Sequence, residues 1–240
     1  MSKLIGTNPN QVPSNADLGS AAYMNAKDIL TSKGVGASSI DSTITKTAVD
    51  VHVYDTAKDS DGGEWRKHSQ NTSWYNEELN TATRGSRREF PSVAVIVVEA
   101  LKITIYDADD PNLPMWMVFY ADLNTLSTSG ISDDKILSTT YAMFHTSNLK
   151  RADALNGELF VGSANWHLFR FSFPRDDITC HLQYGTFDAG YAKYEKAIIG
   201  RNSAGAYNRT KDYGILTNSV NNVKATVLDN APLDPYTRLP

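Results

Sequence analysis

Short apolar segments separated by turn residues fill residues 92–230, and this pattern limits the fold more than any other feature of the sequence. Val93–Val98 is wholly apolar, which is typical of a strand buried on both faces. Leu101–Tyr106 alternates between apolar and polar residues, and a turn at Asp107–Pro111 leads into the apolar Met115–Tyr120. Further strands are predicted at Tyr141–His145, Glu158–Val161, Trp166–Phe173, Ile178–Tyr184, Tyr194–Ile199 and Val223–Leu228. The sequence therefore predicts a mainly β fold of antiparallel sheets.

Two arrangements of these sheets stay open at this point, a sandwich and a propeller-like assembly. The predicted hairpin at Asn156–Phe171 resembles one hairpin of a propeller blade. Blades use about 40–50 residues and propellers have about four to eight of them. Residues 92–230 are too few for that number, so the chain cannot close a propeller alone. Either the sheets form a sandwich, or the 240 residues are the front of a longer protein.

An extended N-terminal attachment segment with one short helix is predicted over residues 1–47. Gly6–Asn15 is dense in turn formers and contains two prolines, which favour extended backbone before them. Asn25 as N-cap and Gly34 as C-cap predict a helix over Ala26–Lys33. A helix of two turns is too short to be stable alone. This segment therefore needs another surface to lie on.

Residues 48–91 form a predicted bridge of one strand and polar loops, and residues 231–240 a linker-like C-terminal tail. Val49, Val51 and Val53 alternate with polar residues, which is the pattern of a strand with one apolar face. The predicted organisation has four parts: the attachment segment 1–47, the bridge 48–91, the antiparallel β domain 92–230 and the tail 231–240.

Composition and missing motifs set aside several classes of function. A net charge of −4 gives no broad basic surface, so no nucleic-acid partner is expected. No apolar run approaches the length of about 20 residues that a membrane helix needs, and Met1–Ile5 leads into polar sequence without a signal peptide. The lone Cys180 cannot form an intrachain disulfide and is interpreted as a small apolar strand residue. No nucleophile elbow, phosphate loop or dinucleotide fingerprint occurs, so no catalytic residue and no cofactor are predicted.

No metal site is predicted either. Asp59, Asp61 and Glu64 surround two glycines, but position 12 of a calcium loop counted from Asp59 is Gln70 instead of glutamate. A solvated turn is the favoured interpretation. A second acidic group is explained by Asx-turn chemistry: Asp107, Asp109 and Asp110. The five histidines lack metal-ligand spacing: His52, His68, His145, His167 and His181.

Aromatic and basic residues offer candidate contact surfaces. Trp65, Trp74 and Tyr75 stand in polar sequence, which favours contact with a protein interface or with a glycan. Trp116 lies between two methionines and is predicted to be in the core. A group of basic residues is interpreted as a solvated face: Arg66, Lys67, Arg84, Arg87 and Arg88.

The sequence also resembles a known family over much of its length. The segments that carry the resemblance are Ile5–Ala22, Lys46–Val51, Asp59–Lys67, Thr72–Glu77, Thr81–Arg87, Asp107–Phe119 and Asn230–Pro235. They resemble the N-terminal part of tail-fibre and other virion structural proteins of marine bacteriophages, including cyanophages. The resemblance implies a virion protein of the phage tail that is synthesised in the host cytoplasm. It also implies other tail proteins as partners and a homotrimer.

The resemblance also implies that the N-terminal segment docks on the tail. The residues expected at this docking interface are Leu4, Ile5, Gly6, Pro9, Val12, Pro13 and Leu18. The resulting expectation is a structural component without enzymatic activity. Two alternatives stay open: a carbohydrate-binding module for a host surface glycan, and a polysaccharide depolymerase whose two carboxylates meet only in space.

Overall fold

A computed structural model of the chain describes residues 15–44, 47–72, 74–76, 86–120, 149–164, 167–182, 189–193, 208–210, 220–234 and 239–240. The described part is mainly β, with two antiparallel sheets. This confirms the fold class that the strand and turn pattern predicts.

The elements have the following bounds. Two α-helices come first, α1 (Asn15–Ser32) and α2 (Ala37–Thr43). The first sheet has the strand order β1 (Asp50–Asp55), β2 (Val93–Glu99), β3 (Lys102–Asp107) and β4 (Met115–Tyr120). The second sheet is a meander in chain order, formed by β5 (Leu149–Leu155), β6 (Glu158–Ser163), β7 (His167–Ser172), β8 (Asp177–Leu182), β9 (Ala189–Lys193) and β10 (Asn208–Thr210). Two short 3-10 helices follow β1, at Thr56–Lys58 and Glu64–His68.

The two sheets pack over one shared hydrophobic core, which is the sandwich arrangement. The first sheet contributes side chains such as Ile96, Ile105 and Phe119, and the second contributes Leu159 and Phe171. The rings of Phe119 and Phe171 meet across the interface with centroids 4.7 Å apart. Apolar burial of this kind is the main favourable term in folding.

Strand β2 lies at the centre of the packing, as its wholly apolar sequence predicts. Alternate residues on one face, such as Ile96 and Val98, join the core between the sheets. Those on the other face, such as Val95 and Val97, join a second core beneath the helices. Strand β1 pairs with β2 along its whole length, Asp50 opposite Val98 and Asp55 opposite Val93. The strand predicted in the bridge is therefore an edge strand of the first sheet.

The helices form a third layer on the outer face of the first sheet. Ala26 and Leu30 of α1 and Ile40 of α2 are fully buried there, against valines of β1 and β2. For residues 15–44 of the N-terminal segment, the surface that they need is thus the chain's own sheet. Helix α1 begins at Asn15, so the predicted helix start at Asn25 is wrong, and residues 15–24 are helical instead of extended. Helix α1 is longer than its caps alone predict, because its sequence is rich in alanine and because it packs on the sheet.

The predicted C-cap Gly34 is confirmed. It has a φ of +88°, the left-handed region that glycine adopts without strain. Its N–H donates to the Thr31 carbonyl and that of Val35 donates to the Leu30 carbonyl, both at 3.0 Å. These two bonds make a complete Schellman motif, in which buried Val35 joins buried Leu30 in the core beneath the helices.

We expect Gly34→Ala to lower the free energy of unfolding by about 1 kcal/mol, because alanine is disfavoured at positive φ. A Cβ at Gly34 would meet no atom within 4 Å, so backbone strain is the only cost. Gly36→Ala is the matched control, since Gly36 has a φ of −66° and a Cβ there would meet only atoms at 3.8 Å or beyond. Urea unfolding of both variants gives the comparison, and equal stability of the two would contradict the motif.

Some predicted strands differ from the structure. Residues Val223–Leu228 form no strand, and strand β5 was not predicted at all. The predictions at Tyr141–His145 and Tyr194–Ile199 lie outside the described residues. In the turn between β5 and β6, Asn156 and Gly157 both have positive φ, 55° and 72°. That geometry belongs to a tight two-residue hairpin loop.

The C-terminal residues pack on the β sandwich. Val220 N–H donates to the Ser163 carbonyl at 2.8 Å, and Asp234 forms an ion pair with Arg175. Leu239 is buried in the core between the sheets. Residues 231–234 and 239–240 therefore contact the body of the protein, unlike the linker that their composition predicts. The four-part division of the chain otherwise stays a prediction.

Candidate functional site

Polar side chains are concentrated where edge strand β1 meets edge strand β5. Backbone amides of β5 and of the turn after it donate to side chains on and after β1. The Ala152 amide donates to Asp50 Oδ2 at 3.0 Å, and the Gly157 amide donates to Tyr54 Oη at 2.8 Å. We call this region the polar seam and define it by Asp50, His52, Tyr54, Asp59, Asp153 and Asn156. Because side chains satisfy these edge amides, the two sheets are joined without direct strand pairing.

Asp59 is the most densely bonded carboxylate of the polar seam. Its Oδ2 accepts hydrogen bonds from Tyr54 Oη at 2.6 Å and from Trp65 Nε1 at 2.8 Å. Its Oδ1 accepts from the Asn156 amide at 2.8 Å. Asp59 is buried, so the prediction of a solvated turn is wrong for this residue. Burial raises the pKa of the Asp59 carboxyl despite these three donors.

The local sequence explains why Asp59 turns inward. Gly62 and Gly63 both adopt positive φ, which lets the chain fold back tightly. A Cβ on Gly63 would lie 2.7 Å from Thr56 Oγ1, so only glycine allows this approach. Asp61 then accepts from the Gly63 and Trp65 amides, each at 2.8 Å. The acidic residues around the two glycines therefore build a fold-back loop, residues 59–65, which runs into the second 3-10 helix.

A second group within the polar seam surrounds His52. Its Nε2 lies 3.5 Å from Asp153 Oδ1, and Asp153 Oδ2 accepts from the Ala225 amide at 2.7 Å. Lys224 Nζ lies 3.2 Å from the same oxygen. Burial lowers the pKa of His52 although two carboxylates, Asp153 and Asp50, favour its charged form. Burial likewise raises the pKa of Asp50.

Chemically, the His52 group can take up and release a proton. A histidine oriented by a carboxylate activates a nucleophile only when a hydroxyl or thiol lies within hydrogen-bond reach. Among the described residues His52 makes no such hydrogen bond. No three His, Cys, Asp or Glu side chains of the described part are grouped to hold a metal ion. The chemistry that the His52 group offers is therefore proton uptake and release, together with hydrogen bonding.

The two tryptophans proposed as surface contacts lie in the core. Trp65 is 3% exposed and Trp74 is 1% exposed, so neither presents a face on which a sugar could stack. Each indole N–H has a buried acceptor, Asp59 for Trp65 and the Phe173 carbonyl at 2.9 Å for Trp74. The prediction of interface or glycan contact is wrong for both, because the polar residues around them are loops folded over the core. Tyr75 is half-buried and packs against the same core.

An aromatic cluster fills this end of the sandwich, with Phe90 at its centre. The Phe90 ring centroid lies 5.8 Å from Tyr54, 5.3 Å from Trp65, 4.9 Å from Trp116 and 4.6 Å from Phe173. All four pairs are tilted or edge-to-face, the geometry that aromatic quadrupoles favour. The burial of Trp116 confirms the prediction made from its apolar neighbours.

In the second acidic group, Asp107 and Asp110 make the local turn bonds that the sequence predicts, whereas Asp109 bonds to the start of β2. The Asp109 amide donates to Asp107 Oδ1 at 2.9 Å, which is an Asx turn. Asp109 also accepts from the backbone amides of Ser92 at 2.8 Å and Val93 at 3.1 Å. Arg87 forms ion pairs with both Asp107 and Asp109. The cluster fastens the start of β2 to the turn after β3.

The basic residues are also structural. Arg87 is half-buried, Arg66 Nε donates to the Phe90 carbonyl at 2.6 Å, and Arg88 Nη1 donates to the Tyr75 carbonyl at 3.2 Å. The prediction of a solvated basic face is therefore wrong for Arg66 and Arg87, whereas Lys67 is exposed. Arg84 lies outside the described residues.

The remaining predicted positions fall as follows. His52 lies in β1, His167 lies in β7, and His181 and Cys180 lie in β8. His68 ends the second 3-10 helix, and Leu18 lies in α1. The other residues predicted to dock on the tail lie outside the described part: Leu4, Ile5, Gly6, Pro9, Val12 and Pro13. His145 and Trp166 are outside it as well.

Comparison of the chain with protein-family models, with curated proteins and with solved structures gives no match. Within the described residues, no helix has both the length and the apolar character needed to cross a bilayer.

Proposed function

We propose that this chain is a structural component of a phage virion without enzymatic activity, a tail fibre or another tail-associated protein. Its N-terminal segment would dock on the tail, and its β sandwich would form the body. Its partners would be other tail proteins and two further copies of itself in a homotrimer. The resemblance of the sequence to marine phage virion proteins is the basis for the tail assignment.

The position of the segments that resemble the family supports a structural role most directly. They supply residues that join parts of the fold: Asp50 and Asp59 in the polar seam, Trp74 on the Phe173 carbonyl, and Arg87 with Asp107. A set of family residues that connect parts of the fold specifies the fold itself. The family residues of an enzyme would instead place reactive groups together. This is the pattern expected of an assembly component.

The helical layer supports the assignment of the N-terminal segment as an attachment. An attachment segment must be joined firmly to the body that it holds. Helices α1 and α2 are fixed to the first sheet by buried apolar side chains such as Leu30 and Ile40. Residues 1–14 precede this layer in the chain. Docking through Leu4, Ile5 and Val12 would therefore hold the whole sandwich.

Deleting residues 1–14 should remove the protein from purified phage particles while leaving its fold intact. The deletion ends just before α1 begins at Asn15, so the buried contacts of the helical layer remain. Particles made from a genome that carries the deletion are analysed by quantitative mass spectrometry. Copy number in wild-type particles should be a multiple of three. Circular dichroism and thermal unfolding of the purified deletion variant check the fold.

A matched pair of triple variants tests whether docking requires the apolar side chains of this segment or only the segment in general. Leu4, Ile5 and Val12 are replaced by serine in one variant, and Ser2, Thr7 and Gln11 by alanine in the other. We expect only the first variant to be lost from particles. Normal incorporation of the deletion variant would refute tail docking by this segment, and absence of the wild-type protein from particles would refute the virion assignment itself.

A further inference from the structure

Residues 220–225 cross the edge of the second sheet, and two hydrogen bonds from their backbone hold them there. The Val220 amide donates to the Ser163 carbonyl at 2.8 Å, and the Ala225 amide donates to Asp153 Oδ2 at 2.7 Å. Close approach at the first point depends on Gly162, because a Cβ there would lie 2.3 Å from the Val220 carbonyl oxygen. We call residues 220–225 the clasp. The clasp contains no strand.

One carboxylate serves both the clasp and a titratable histidine. Asp153 is buried, and its Oδ2 binds the Ala225 amide and Lys224 Nζ while its Oδ1 lies 3.5 Å from His52 Nε2. A proton on His52 would place two cations, His52 and Lys224, on a single buried carboxylate. The two cations would then repel each other beside that carboxylate.

We propose that the clasp is a pH-sensitive device, docked on the polar seam while His52 is neutral and loosened when His52 takes up a proton. The charged groups that face His52 come from every element packed around it: Asp50 on β1, Asp153 on β5, Lys224 on the clasp and Lys58 on the first 3-10 helix. Arg151 on β5 acts on the neighbouring Asp50. The two carboxylates favour protonation of His52, and the two lysines oppose it.

The direction of the effect follows from linkage. The pKa of His52 is lowered in the folded chain, first by burial, and Lys224 of the docked clasp contributes in the same direction. If docking of Lys224 lowers the affinity of His52 for a proton, a proton on His52 must lower the affinity of the clasp by the same factor. Binding of the clasp is therefore strongest where His52 is neutral and becomes weaker as the pH falls and His52 takes up a proton.

Hydrogen exchange of the full-length protein tests this device. The protection of the Ala225 amide, corrected for the intrinsic exchange rate, is compared between about pH 7.5 and about pH 5.5. We expect it to fall by roughly two- to fivefold at the lower pH, because Lys224 is largely exposed and solvent screens its repulsion of His52. The Ile105 amide, deep in the first sheet, is the internal reference and should keep its protection.

Two variants decide the mechanism. In His52→Gln the pH step at Ala225 should disappear, and a step that persists would overturn the role of His52. The Lys224 side chain is 83% exposed, so Lys224→Gln should fold normally. It provides the test if His52→Gln does not fold. In Lys224→Gln the pKa of His52, followed by nuclear magnetic resonance, should rise. An unchanged pKa, or equal wild-type protection of Ala225 at both pH values, would refute the device.

Discussion

Asp59→Ala is expected to lower the free energy of unfolding by about 3 kcal/mol or more. The variant leaves three buried donors without their acceptor: the Tyr54 hydroxyl, the Trp65 indole N–H and the Asn156 amide. Each buried donor left unsatisfied costs roughly 1–3 kcal/mol. Because these donors come from β1, the fold-back loop and the turn after β5, the variant also removes a connection between the two sheets at one end of the polar seam. Urea unfolding of the purified protein measures the change.

Two further variants show that the loss comes from the acceptor. Asp59→Asn keeps the shape, but its amide nitrogen must face either the Trp65 indole N–H or the Asn156 amide, both of them donors. It should therefore also be clearly destabilised. Asp110→Ala is the matched control, since within the described residues the Asp110 side chain accepts only from the Asn112 amide in an exposed turn, and it should cost about 0.5–1 kcal/mol. Similar losses for Asp59→Ala and Asp110→Ala would contradict the assignment of Asp59 as a joint between the sheets.

The strands of the first sheet could be predicted because their side-chain pattern is local. Strand β4 has the predicted bounds. The wholly apolar run of β2 predicts a strand that is covered on both faces, and the structure shows that strand. Strand β5 has no such pattern. Its sequence contains Lys150, Arg151 and Asp153 among alanines and leucines, which by propensity favours helix over strand. Pairing with β6 and the contacts at the polar seam determine its structure, and both depend on tertiary context.

The polar seam could not be predicted for a similar reason. The donors of Asp59 include the Asn156 amide, 97 residues away in the sequence, and no local pattern marks such a pair. The available signal was the Gly62–Gly63 pair followed by Trp65, since a buried indole N–H requires an acceptor. The predicted turn was correct in position, but the direction of the Asp59 side chain depends on the second sheet.

Phe90→Ala is the second variant with a large expected effect, a loss of about 3–5 kcal/mol in the free energy of unfolding. Phe90 is fully buried, and its four aromatic neighbours come from β1, the fold-back loop, β4 and the turn after β7. The surrounding rings belong to different elements, so they cannot close the resulting cavity without separating those elements. The cost should therefore lie above the transfer free energy of the side chain alone.

Phe160→Ala is the matched control for Phe90→Ala, because Phe160 is only half-buried on β6 and its removal should cost roughly 1 kcal/mol. If Phe90→Ala does not fold, Phe90→Leu keeps most of the volume and should give a smaller, measurable loss. Near-ultraviolet circular dichroism adds a second readout, since Trp65 and Trp116 both contact the Phe90 ring. Phe90→Ala should change their signal, whereas Phe160→Ala should not. Equal effects of the two alanine variants would mean that the aromatic cluster does not join the sheets. The packing of this core would then not explain why Trp65 and Trp74 are buried.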